Sequence, residues 1–192
     1  MKAEEQKVSV TENRTIWRID SSHSSVEFTV RKLFFLTVTG RITDLDGTIV
    51  LDENSIDGSS ANSTIQAKSV DTGNKQRDAQ LKAASFFDVA NYPEIEFESS
   101  DVAPGKDRDI LSITGLLTIK DITKEIQLDV TEVDRSKAPD GSEVIYYVAM
   151  MNLNRYDFGV SGWRGVVGGK VKVVINIQAN REKLKIEDWR VR

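Results

Sequence analysis

The chain's single histidine, His23, lies in Asp20-Ser21-Ser22-His23-Ser24, where hydroxyl, imidazole and carboxylate groups fall within one short stretch. Those groups could serve as a nucleophile, a base and an orienter. A serine nucleophile of that kind is presented on a sharp strand-to-helix turn, however, and the chain contains no Gly-x-Ser-x-Gly elbow. The simpler reading has Asp20 and Ser22 shaping a turn ahead of a strand, with His23 hydrogen-bonded beside them. Gly165-Val166-Val167-Gly168-Gly169-Lys170 looks like a phosphate loop, but its glycine spacing is wrong. Val171 also stands where a magnesium-binding Ser or Thr is required. A glycine-rich entry to a strand accounts for it. With one His and no Cys, a metal site would need carboxylates alone, and none shows EF-hand spacing. No catalytic residue, metal or cofactor is expected.

Arg77-Asp78 is the most suggestive charged pair. A guanidinium holds an anionic or hydroxyl head group well. It could instead pin a helix by pairing with its neighbour or with a loop carbonyl, and that structural role is favoured. Phe86-Phe87 and Tyr92-Pro93 form an aromatic knuckle that would seat a helix on the rest of the fold.

The elements that must position these residues are mostly strands. Val26-Glu27-Phe28-Thr29-Val30 alternates apolar and polar with period two, and Trp17-Arg18-Ile19 begins the same pattern upstream. Over residues 37–51, Val38, Gly40 and Ile42 share one face. The phase then shifts near Asp44, which predicts a bulge before Leu45, Ile49 and Leu51. Residues 61–68, 95–98, 110–119, 126–130, 144–151 and 171–177 supply further strand patterns. Turn chemistry marks residues 52–60, 103–107 and 137–141. Residues 74–84 form the only convincing helix, with Asp71, Thr72 and Asn74 as candidate N-caps. About eight strands separated by turns predict an all-β barrel or sandwich.

The 192 residues suit one domain, with no Pro/Ser-rich linker to divide them. A polar extension over 1–14, a barrel over 15–180 and a charged tail over 181–192 are expected. The 26 basic and 30 acidic residues leave a net charge of −4, which argues against nucleic-acid binding. No apolar run approaches the ~18 residues of a membrane helix. The first residues lack the apolar core of a secretory signal. The sequence as it stands is therefore expected to be soluble and cytoplasmic, or periplasmic if a leader has been removed. A homodimer is left open.

Trp17-x-Ile19-Asp20-x-x-His23-Ser24-x-Val26-x-Phe28-x-Val30-Arg31, followed by Thr37-Val38-x-Gly40-Arg41, resembles the opening of the YceI-like lipid-binding family. Ser69-Val70-Asp71-Thr72-Gly73-Asn74-x-x-Arg77-Asp78-x-x-Leu81-Lys82 and Phe86-Phe87-Asp88-Val89-x-x-Tyr92-Pro93 are similar to its most distinctive block. Gly115-x-Leu117-Thr118-Ile119 and Arg155-x-Asp157-Phe158-Gly159 are similar to its later motifs. The chain departs at Gln80, where the family often has His, and at Lys32-Leu33-Phe34, where His-Leu-Gly is common. The resemblance implies an eight-stranded antiparallel barrel of lipocalin-like shape, with one short helical insertion capping one end. It also implies an elongated apolar cavity for a polyisoprenoid, an isoprenoid quinone or a fatty amide, and no established catalytic activity.

Inward-facing candidates for that cavity are Val26, Phe28, Val30, Val38, Ile42, Ile65, Phe86, Phe97, Ile113, Leu117, Ile126 and Leu128. Candidate head-group contacts are His23, Arg31, Arg77, Asp78 and Arg155. The helix, with Leu81, Phe86 and Phe87, is read as a lid or floor rather than an active site. Two rival readings stay open: an enzyme acting on an isoprenoid-type lipid through His23, Arg77 or Asp78, and a barrel whose filled interior serves only as an interaction module.

Overall fold

The period-two pattern becomes strand along almost the whole length of residues 14–182, which the computed structural model describes. The strands are β1 (Arg14–Ile19), β2 (Ser25–Lys32), β3 (Leu36–Ile42), β4 (Leu45–Asp52), β5 (Ser60–Gln66), β6 (Val70–Asp71), β7 (Glu94–Pro104), β8 (Ile110–Ile119), β9 (Ile122–Lys137), β10 (Glu143–Asn154) and β11 (Val167–Arg181). One α-helix, α1 (Lys75–Lys82), stands between β6 and β7. Apart from Arg14, Arg181 and Glu182, the expected polar extension and charged tail lie outside the described residues.

Pairing is antiparallel throughout, in the order β1-β4-β5-β7-β8-β9-β10-β11-β2-β3-β6, and β11 also pairs with β1. Three of the barrel's staves are broken strands. One edge of β11 bonds β1 through residues 179–181 and β2 through residues 167–176, so β1 and β2 run end to end. Similarly, β4 pairs with β1 while β3 pairs with β2. The third stave comprises β5 against β4 and β6 against β3. Counted this way, the sheet is an eight-stave meander closed on itself, and closure removes the long unpaired edges of an open sheet.

Each break has a local cause. After β1, the Ser22 amide donates to Asp20 Oδ1 at 2.9 Å and the His23 amide to the Asp20 carbonyl at 3.1 Å. The phase shift expected near Asp44 is the gap between β3 and β4. The strand expected over 61–68 ends at Gln66, because Ala67–Ser69 tightens into a 3₁₀ turn whose Ala67 amide donates to the Pro93 carbonyl at 2.9 Å.

The helix differs from expectation in length and in role. Asn74 caps it, its Oδ1 accepting from the Arg77 amide at 3.1 Å. Its eight residues carry no apolar stripe and none of them is buried. The plug is the turn that follows. There Phe86 is buried and Phe87 half-buried, and the Phe87 and Val89 amides donate back to the carbonyls of Leu81 and Lys82. A Cβ on Gly162 would overlap the Phe86 ring, so only a glycine lets that loop close over it.

Candidate ligand-binding site

Alternation along the staves aims one apolar row from each into the bore. The result is a cavity with about 210 Å³ open to the centre of a water-sized sphere. It is lined by Val26 and Phe28 of β2, Ile65 of β5, Phe97 of β7, Leu128 of β9 and their neighbours. On β10 the lining row runs from Tyr147 to Leu153 on alternate residues. That is about 20 Å of strand, or about 16 Å along the axis once a tilt near 40° is allowed for. Spread evenly over that length, the volume leaves the sphere centre a channel about 4 Å across, and the sphere's own width of about 2.8 Å brings the bore to roughly 7 Å. Because packed carbon atoms sit about 3.5–4.0 Å apart, such a bore takes one hydrocarbon chain and not two abreast.

The lining is chemically quiet. Its polar members are Ser59, Ser60, Asn62, Ser63, Tyr147 and Arg155; no carboxylate or imidazole faces the space. Ser59 is engaged, accepting from the Asp52 amide at 3.0 Å. Tyr147 donates to Glu132 Oε2 at 3.2 Å. Burial, and then the neighbouring Glu132 carboxylate, push its phenol above the ordinary tyrosine value. At the end away from α1, Trp17 shares a face with Ile19 and is 1% exposed. Arg135 stacks over its ring at 5.5 Å and bonds Glu132 and Glu53. A charged lattice thus covers the buried Trp17 ring at that end.

Of the twelve residues expected to line the cavity, ten do, and Val38 and Phe86 do not. Val38 sits on the part of β3 beyond the short pairing with β6, where the wall has no further strand. Phe86 packs against Gly162 and beneath the Arg155 guanidinium, 5.8 Å from its ring, leaving Phe87 to line the bore.

The five head-group candidates are not brought together. His23 lies in the turn after β1, its Nδ1 2.9 Å from Asp20 Oδ2, and it does not line the cavity. Burial alone would raise the Asp20 carboxyl, but the bonds from His23 and the Ser22 amide prevail and hold it below the usual value. Arg31 is exposed on β2. Arg77 and Asp78 clasp Thr72 instead of a ligand. Arg77 donates to Thr72 Oγ1 and to its carbonyl, both at 2.8 Å. Asp78 Oδ1 accepts from the Thr72 amide at 2.9 Å and its hydroxyl at 2.6 Å.

Arg155 does touch the cavity, but its donors are engaged. It donates to the carbonyls of Val160, Gly162, Val167 and Gly168 at 2.8–2.9 Å, and to Tyr156 Oη at 3.3 Å. It is a staple for the loop before β11. Sequence reading missed Tyr147, Ala149 and Met151 on β10, and Val171, Val173 and Ile175 on β11. The alternation of residues 171–177 was the signal available for the second group. Among the described residues no His, Asp and Glu cluster of metal-binding size occurs, and no helix is long and apolar enough to cross a membrane.

The sequence profile of the YceI-like domain matches residues 17–179. The protein YceI of Salmonella newport is 30% identical over 164 residues, covering 85% of this chain and 85% of its own. The crystal structure of BcnA from Burkholderia cenocepacia superposes with a TM-score of 0.75 at 22% identity, covering 83% of this chain and 98% of that one. A polyisoprenoid-binding domain from Saccharophagus degradans superposes with a TM-score of 0.66 at 19% identity, covering 86% and 98%.

Proposed function

The chain belongs to the YceI-like domain family, and from that footing we propose that its barrel binds one long apolar chain of isoprenoid type, threaded along the bore. The observation that carries the reading is a single-file cavity whose walls offer apolar contact and no ionisable acid or base beyond the engaged Tyr147 and Arg155. Burial of about 500 Å² of hydrocarbon would contribute roughly 12 kcal/mol before association costs, so binding needs no charge contact. The polyisoprenoid-binding domain of the same fold supports this ligand class by analogy of architecture. Polyprenyl alcohols, isoprenoid quinones and fatty amides all present the single flexible tail that the bore fits.

The protein is read as a carrier or store rather than an enzyme. General acid–base chemistry needs a titratable group within reach of the substrate. His23, Arg77 and Asp78, on which a catalytic reading rested, lie outside the cavity lining. A filled-barrel scaffold is disfavoured by the cavity itself. The test is denaturation of the purified full chain, extraction into organic solvent and mass spectrometry, with uptake of geranylgeraniol and a fatty amide measured in parallel. A bound isoprenoid or uptake of the prenyl probe is expected. An empty extract together with no uptake of either probe would overturn the reading.

A further inference from the structure

Six of the nine large apolar side chains exposed among the described residues lie on two loops, or at the strand start beside one, at one end of the barrel. Leu33, Phe34 and Phe35 form the turn between β2 and β3 and Leu36 opens β3, with Phe34 88% and Phe35 77% exposed. Trp163 and Val166 stand on the loop that leads into β11. The loops touch: the Leu33 amide donates to the Val166 carbonyl at 2.8 Å, and Lys32 Nζ lies 5.1 Å from the centre of the Trp163 ring. The six side chains therefore belong to one protruding tip.

Local folding preferences do not explain this tip. Leu33, Phe34 and Trp163 hold left-handed backbone, with φ of 50°, 65° and 53°. Such positions favour Gly or Asn, and a bulky side chain there meets a steric cost.

Charge singles out the same two segments. In a chain of net charge −4, residues 28–43 and 158–181 contain no Asp or Glu. They carry Arg31, Lys32, Arg164 and Lys170 around the tip, all exposed except the half-buried Lys32. The bounding acids include Asp157, beside Phe158 in the 3₁₀ turn, and Asp44, just after β3.

We propose that this tip docks the barrel on an anionic lipid membrane surface. Phe34, Phe35 and Trp163 enter the interface, and Arg31, Lys32 and Arg164 face the head groups. Aromatic side chains favour the boundary between hydrocarbon and water, and clustered cations are drawn to anionic leaflets. Insertion into lipid requires no complementary surface. Val30 and Val171, paired on β2 and β11 just below the tip, line the cavity, so docking sets that end of the bore against the bilayer. The inference goes beyond ligand binding and does not depend on what occupies the bore.

The test is co-sedimentation of the full chain with phosphatidylcholine vesicles containing about 30% phosphatidylglycerol, against vesicles of phosphatidylcholine alone. Binding only to the anionic vesicles is expected, weakening several-fold between about 0.05 and 0.3 M salt. The emission lost in Trp163→Phe should be the part that shifts to the blue on binding. Phe34→Ser with Phe35→Ser should lower vesicle affinity about tenfold or more. Leu33→Asn with Phe34→Gly should also lose binding while raising the Tm, since it suits the turn. Neither pair should change the lipid extracted from the bore, which separates docking from cargo binding. Absence of sedimentation, or binding indifferent to both pairs, would overturn the proposal. So would self-association or a protein complex that the Phe34/Phe35 pair abolishes without any vesicle binding.

Discussion

Arg155 shows how a residue with the right chemistry for a ligand can be committed to the fold. Its five N–H groups meet four main-chain carbonyls and one phenol, so the guanidinium has no donor left for a head group. Arg155→Met should destabilise the protein by about 3 kcal/mol or more, because the carbonyls of Val160, Gly162 and Gly168 lose their charged donor. Urea unfolding measures this, and Arg155→Lys should recover little of it, since an ammonium cannot reproduce the fork. Loss of lipid uptake with unchanged stability would instead make Arg155 a ligand contact. Tyr147 yields a second expectation. Its phenol is pushed above the ordinary value of 10.0 by burial and by Glu132, so the fold favours the neutral form. That preference is fully present below the unfolded-chain value near 10 and is lost as pH rises through it towards the higher folded value. An absorbance titration of the four tyrosines should therefore show one phenolate appearing only as the barrel unfolds. Tyr147→Phe should remove that late step.

Between elements, the decisive contact joins the turn after α1 to the loop before β11. Gly162 has no room for a methyl group beside Phe86, and its amide donates to the Ser85 carbonyl at 2.7 Å. Gly162→Ala should cost about 1–3 kcal/mol through overpacking. In Phe86→Ala the same substitution should cost much less, and a double-mutant cycle by denaturant unfolding would show the coupling. Additive costs would mean that the two segments do not bear on each other. This joint was only half legible in the chain. Asn74 and the good helix formers after it marked a helix, and Phe86-Phe87 marked a plug. That the helix stays outside while the turn enters depends on Gly162, distant in sequence and without local signature. The broken staves were legible in part as well. The shift near Asp44 was visible because the apolar parity changes there. The end of β5 was not, because Ala67 keeps the parity while the Pro93 carbonyl draws its amide out of the ladder.

For the whole molecule, alternation could identify inward residues but not the space between them. A ring of Val, Ile and Phe rows can meet in the centre or leave a bore, and the outcome depends on stave number and on which positions are small. Ala149 is such a position. It is 2% exposed, lines the cavity and pairs with Ile175 across β10 and β11, another lining residue. Its methyl group leaves part of the bore open where a larger side chain would cross it. Ala149→Phe should therefore obstruct the bore while the barrel still closes, since closure rests on the β11 pairings with β1 and β2 rather than on that side chain. The ring fills space that lacked contacts, and the overpacking cost of about 1–3 kcal/mol is offset in part. Uptake of a prenyl probe should fall at least tenfold, with circular dichroism unchanged and no lipid in the extract. Ligand binding adds to stability through mass action, so the parent protein should gain Tm when loaded and the Ala149→Phe variant should not. Undiminished uptake by a folded Ala149→Phe variant would place the ligand somewhere other than the bore.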